Sequence, residues 1–212
     1  ADTNPPFDNT VYLEPDVITA DDPTAFRTII FEGEVTAEDY SDNCDEEFAG
    51  EEIYLYKEGK SRGQTVEFYI DAGFQSERAA QDIAQIYAPI LGQVPHTLRR
   101  GVDVMIIRAE NENWCAATGQ IEIEHGNYRE ELEDGALEEA MMHETVHATL
   151  DDDHASAAEW LDAQERDGLF VSEYAMSLPD DEDLAETFTA YYGVLRSNWL
   201  AYCVIITATV FC

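Results

Sequence analysis

Short stretches within residues 26–70 alternate apolar and polar positions, while in the longer runs beyond apolar residues recur at every third or fourth position, which predicts a sheet joined to helices. Residues 26–35 alternate as one strand, and residues 53–56 and 66–70 read as the arms of a hairpin around Gly59-Lys60-Ser61-Arg62-Gly63. From Ser76, a residue suited to capping, Ala79, Ala80, Ile83, Ile86, Tyr87, Ile90 and Leu91 fall at helical spacing, and Gly92 followed by Pro95 supplies the stop. Pro89 is placed to kink the last turn. Residues 102–108 are nearly all apolar and predict a buried strand. Residues 121–125, Ile-Glu-Ile-Glu-His, alternate as a half-exposed strand whose free backbone groups, at a sheet edge, would pair with an extended peptide.

Residues 126–135 read as an acidic connection, after which a helix begins near Ala136. Leu137, Met141, Met142, Val146 and Leu150 place apolar side chains on most of its faces, so it is expected to be central. Residues 157–166 predict another helix with Trp160 and Leu161 facing inward and Gly168 ending it. Leu184, Phe188, Tyr191, Tyr192, Leu195 and Trp199 mark a last helix over residues 184–200. The fold class is therefore α+β: one domain over residues 1–212, with a sheet-containing lobe over 1–150 and a helical lobe over 151–212. Residues 1–22 are polar and proline-bearing and are expected to drape over the body. Residues 199–212 form an uncharged run of 14, short of the ~20 a helix needs to cross a bilayer, and are expected to be a buried terminal segment.

Composition narrows the partners. With 11 basic and 46 acidic residues the net charge is −35, a field that repels nucleic acid and anionic membrane and attracts cations or basic polypeptides. The apolar content of 45% excludes a disordered chain despite that charge. Four cysteines, Cys44, Cys115, Cys203 and Cys212, form no CxxC pair, which argues against a cysteine zinc site and for disulfides. Three pairings are open, and Cys44 with Cys115 and Cys203 with Cys212 is the expected one. The chain opens on Ala1 without an apolar leader, which reads as a secreted, extracellular mature form or a trimmed one. Residues 41–52 carry six carboxylates around Gly50; they could hold calcium, but lack the ligand order of an EF-hand loop and read first as a solvated loop.

Chemistry concentrates in the central helix. His143 and His147 stand one turn apart, so their imidazoles share a face at a span that one metal ion bridges. Glu144 lies beside them as a carboxylate able to accept a proton from an attacking water. A helix that merely buried two imidazoles would need a separate acceptor for each, whereas one ion satisfies both.

The stretch His143-Glu144-Thr145-Val146-His147 is an HExxH motif, and with Glu182-Asp183-Leu184-Ala185-Glu186 further on, the chain resembles the zincin metallopeptidases, more narrowly their gluzincin branch. The resemblance covers about residues 121–195. The layout is also similar to a group of uncharacterised secreted HExxH proteins, through Gly135-Ala136-Leu137-Glu138-Glu139 and the Glu-Asp-x-Ala-Glu stretch; that group supplies no substrate. The likeness implies a zincin-like fold, with an N-terminal twisted sheet and helices, a central HExxH helix and a C-terminal helical lobe. It also implies zinc held by His143, His147 and Glu182, Glu144 as general base, and Glu186 supporting a ligand histidine from behind. Were the register shifted, Glu186 would be the ligand. Tyr174 corresponds in position to the residue that stabilises the oxyanion in such enzymes, and His125 is a weaker candidate for that task. The metzincin alternative would place a ligand at Asp153 or His154, but Leu150 stands where that turn needs glycine.

Two functions follow as expectations. One is a secreted zinc metallopeptidase acting on a peptide or protein substrate, with a preference for basic segments. The other is a non-catalytic acidic extracellular matrix or cation-binding protein that keeps a zincin fold. Calcium binding through the acidic loops could accompany either.

Overall fold

A computed structural model of the chain describes residues 4–13, 17–26, 28–37, 52–58, 65–111 and 114–197. The chain forms two compact units, Ile18–Thr149 and Ala1–Val17 with Leu150–Cys212. The first carries a six-stranded mixed sheet, and seven helices lie among the described residues, an α+β composition. The hairpin turn over residues 59–64, the acidic loop up to Glu51 and the terminal run from Trp199 lie outside the described residues.

The strands are β1 (Ile29–Thr36), β2 (Glu52–Glu58), β3 (Glu67–Asp71), β4 (Val104–Arg108), β5 (Cys115–Ala117) and β6 (Gln120–Glu124), in the order β1-β2-β3-β4-β6-β5. β3, β4 and β6 run parallel, while β1, β2 and β5 join antiparallel. A register shift between Phe31 and Gly33, where Gly33 takes φ 138°, marks a bulge in β1 that a side chain would strain. Paired positions share a face, so Tyr56, Phe68, Met105 and Ile121 form one row, with Ile70, Ile107 and Ile123 beside it, all fully buried. The Tyr56 hydroxyl donates to the Glu77 carbonyl at 2.7 Å, and burial pushes that phenol up to about 12. That row therefore faces the helix α1 (Glu77–Gln93), which Ser76 caps by accepting from the Ala79 N–H at 3.2 Å. The opposite face buries Ile53, Tyr69, Val104 and Ile106 with Ala37.

α1 ends as its sequence predicts, but Gly92 is still helical, and its role is close approach. A Cβ there would meet Thr24 Oγ1 and lie 2.6 Å from the Phe26 nitrogen. The Gly92 carbonyl accepts from the Ala25 N–H at 3.0 Å and from Arg99 at 2.9 Å, which satisfies the open end of the helix. Arg99 comes from a short helix missed in the sequence, α2 (His96–Arg99), opened by Pro95.

β6 corrects two expectations. It is neither half-exposed nor at the edge: β5, three residues long, pairs outside it, and Glu122 and Glu124 are only 5% and 4% exposed. Arg108, on the same face of β4, forms an ion pair with Glu122, so burial of a carboxylate is met by an opposite charge. The connection after β6 also contains helix, α3 (Tyr128–Glu133), ahead of α4 (Leu137–His154).

In the second unit, α5 (Ala158–Asp167) ends at Gly168, which takes the left-handed conformation at φ 61°. Leu161 is exposed rather than inward. The anchoring residue is Gln164, one turn past Trp160, whose amide donates to the Pro179 carbonyl and to Asp183, each at 3.0 Å. Two further helices follow, α6 (Glu173–Ser177) and α7 (Asp183–Ser197). Of the expected stripe on α7, Leu184 is buried but Tyr191 and Leu195 are exposed, and the buried face is completed by Ala185, Glu186, Thr189 and Ala190. Small residues let the N-terminal segment lie flat against the helix, where Val11 and Leu13 join Val171 and Ala190 in a core.

Candidate metal centre

α4 is held by apolar burial on several sides, with Met141, Met142, Val146 and Ala148 inaccessible. Its last turns are tied by the Gly119 N–H, which donates to the Ala148 carbonyl at 2.7 Å. A buried helix of this kind fixes its side chains in direction. His143 and His147, both half-buried, bring their Nε2 atoms to 3.0 Å, with ring centroids 4.7 Å apart at 70°. Facing nitrogens at that distance either share a proton between opposite tautomers or aim two lone pairs at one cation. Glu144, next in the chain, is buried at 8% exposure.

Glu182 precedes the first residue of α7, and its carbonyl starts that helix by accepting from the Glu186 N–H at 3.0 Å. Tyr174, in α6, donates its hydroxyl to Glu182 Oε1 at 2.8 Å. One ligand atom from each of His143, His147 and Glu182 lies within 4.8 Å of the other two. Two imidazoles and one carboxylate are a donor set that zinc accepts, with a fourth position left for chemistry.

Glu186 is fully buried, and its carboxylate is held by the N-terminal segment. Thr10 Oγ1 donates to Oε1, and the Val11 N–H donates to Oε2 at 2.8 Å. A carboxylate oxygen has two lone pairs, so these bonds leave room for a further donor on each. Asp183, beside the candidate ligand, is 6% exposed, and burial raises its pKa even though Gln164 and Thr187 donate to it. Neither the Thr10 to Glu186 contact nor the Gln164 to Asp183 contact had a local signal in the sequence. Both join residues far apart in the chain through groups that are unremarkable singly.

The other candidates fall elsewhere. α4 runs unbroken to His154, an exposed residue about 10 Å along the axis from His147. Among the described residues the metal-competent group does not include it. His125 sits in an aromatic cluster, its Nδ1 3.0 Å from the Tyr87 hydroxyl, its ring stacked on Tyr128 at 5.1 Å and edge-on to Phe74 at 5.6 Å. Burial pushes the Tyr87 phenol well above its ordinary range, so the phenol donates and Nδ1 accepts, and burial likewise lowers the His125 pKa from 6.5. A lowered folded-state value means that the stability from this pair is whole above pH 6.5 and is lost as pH falls through the folded-state value. His125→Asn should therefore flatten the fall of the thermal midpoint below pH 6.5 relative to the unsubstituted protein. An identical slope in both proteins would show that His125 contributes nothing to it.

Cys115 is disulfide-bonded, and the other three cysteines lie outside the described residues. Among the described residues no helix is long and apolar enough to cross a membrane. Comparison with known proteins adds nothing to the site: no protein-family model matches the chain, and no curated protein or solved structure matches it.

Proposed function

We propose that this chain is a zincin-like, zinc-dependent metallopeptidase of the gluzincin type, with His143, His147 and Glu182 as ligands and Glu144 as general base. The observation that carries the reading is the convergence of one carboxylate with two imidazoles from an HExxH helix. Bound there, zinc would polarise a scissile carbonyl and make water a stronger nucleophile at neutral pH. Glu144 takes the proton that the attacking water gives up and returns it to the leaving amine. Tyr174, whose phenol holds one oxygen of Glu182, presents the hydroxyl donor nearest in role to an oxyanion stabiliser.

The charge of −35 favours substrates with basic segments, and the disulfide at Cys115 supports secretion into an oxidising compartment. The test is metal analysis of the purified protein together with a peptide-library cleavage profile. One equivalent of zinc, with cleavage lost to a chelator and restored by zinc, is expected. Bound zinc without cleavage would favour the cation-binding alternative, and failure to take up zinc would reject the metal centre.

A further inference from the structure

We propose that residues 7–11 form a strap that sets the position of the metal-binding carboxylate, with Thr10 and Val11 as positioning residues acting on Glu182 through Glu186. The proposal rests on the assignment of Glu182 as a ligand, and it extends the site to a segment more than 160 residues away in sequence.

Glu182 stands just before the first turn of α7, its N–H donating to the Leu178 carbonyl at 2.8 Å and its carbonyl accepting from the Glu186 N–H at 3.0 Å. Its backbone is thus tied directly to Glu186, and whatever holds Glu186 also holds the base of Glu182. Glu186, one turn further on, is fully buried beside Ala185, Thr189 and Ala190, with the buried Asp183 carboxyl one turn before it. A buried carboxylate is tolerated only when hydrogen-bonded, and here the strap supplies a bond to each oxygen, the Thr10 hydroxyl to Oε1 and the Val11 N–H to Oε2. Two bonds on opposite oxygens fix the rotation of that carboxylate as well as its place. The same strap grips the residues that lead into α6. Phe7 bridges to Ser172 in parallel, its N–H donating to the Val171 carbonyl at 3.2 Å and its carbonyl accepting from the Glu173 N–H at 2.9 Å. The Asn9 carbonyl then accepts from the Tyr174 N–H at 3.3 Å. Five consecutive residues thus hold the start of the helix bearing Tyr174 and the first turn of the helix that follows Glu182. The Tyr174 hydroxyl closes the figure on Glu182 Oε1 at 2.8 Å.

Thr10→Val keeps the shape and removes the hydroxyl, and Thr10→Ser keeps the hydroxyl. In the full chain, well below its melting temperature, cobalt(II) titration should show affinity weakened about tenfold for Thr10→Val, with an altered visible absorption band, and restored for Thr10→Ser. Glu186→Gln retains a donor and an acceptor for the strap without the charge, and should bind within about threefold of the unsubstituted protein, inside the range of a single modest hydrogen bond. Linkage supplies a readout that needs no variant. If the strap positions the ligand, metal must stabilise the strap, so zinc should slow hydrogen exchange of the residue 7–11 amides in the unsubstituted protein. Unchanged cobalt affinity and spectrum in Thr10→Val, or unchanged exchange over residues 7–11 on zinc binding, would overturn the strap while leaving the metal centre standing. A large loss in Glu186→Gln with none in Thr10→Val would overturn it in favour of a charge acting on the histidines. Absence of cobalt and zinc binding by the unsubstituted protein would instead reject the metal centre itself.

Discussion

Glu144→Gln is expected to retain one equivalent of zinc and to lose peptide hydrolysis by roughly 10²–10⁴-fold, the range that a positioned general base contributes. The substitution is close to isosteric, and at 8% exposure the side chain has little room to settle differently. An amide still accepts hydrogen bonds but does not take a proton from water at neutral pH, so the loss falls on the chemical step. Neither ligand imidazole is altered, and metal content separates this variant from one that has merely unfolded the helix. The expected pattern is a fall in kcat at nearly constant KM, because Glu144 acts on the nucleophile in the transition state rather than in substrate binding. Cleavage at the original rate with zinc still bound would remove Glu144 from the mechanism and require a different general base.

The histidine pair was legible because helical spacing alone decides whether two side chains share a face, and residues 137–154 have no glycine or proline to break the period. The same holds for α1, whose cap and apolar repeat agree. β5 was not legible, since three residues carry no period and the strand forms only because β6 offers Gln120, Ile121 and Glu122 as partners. The alternation in β6 predicts a half-exposed strand, and the strand forms but is buried on both faces. Local sequence cannot announce that Arg108, fourteen residues earlier, will cross the sheet to meet Glu122. α7 shows the converse. Its large apolar side chains predict a buried stripe, yet beyond Leu184 it is Ala185, Glu186, Thr189 and Ala190 that are buried while Tyr191 and Leu195 are exposed, because packing follows the flat face that lets the N-terminal segment close on Glu186. A strap of this kind joins polar groups at the two ends of the chain, so no window of sequence contains both halves of it.

Glu182→Gln carries the second large effect. Zinc affinity should fall by more than about a hundredfold, beyond the range in which losing a supporting residue behind a ligand usually falls. Hydrolysis should fall with it when zinc is limiting and recover in part with excess zinc. The amide keeps the size of the side chain and an oxygen for the Tyr174 hydroxyl, which now donates to Oε1 at 2.8 Å, so packing around α6 and α7 is preserved. What is lost is the negative charge that a dication draws to the third position, and two imidazoles one turn apart are left to hold the ion alone. Tyr174→Phe is the control, since it removes the hydroxyl and leaves the charge, and its affinity should stay within about tenfold of the unsubstituted protein. The two variants therefore distinguish a carboxylate that binds metal from one that serves only as the acceptor for a tyrosine. Zinc bound as tightly by Glu182→Gln as by the unsubstituted protein would move the third ligand to another residue, and the gluzincin assignment would fall with it.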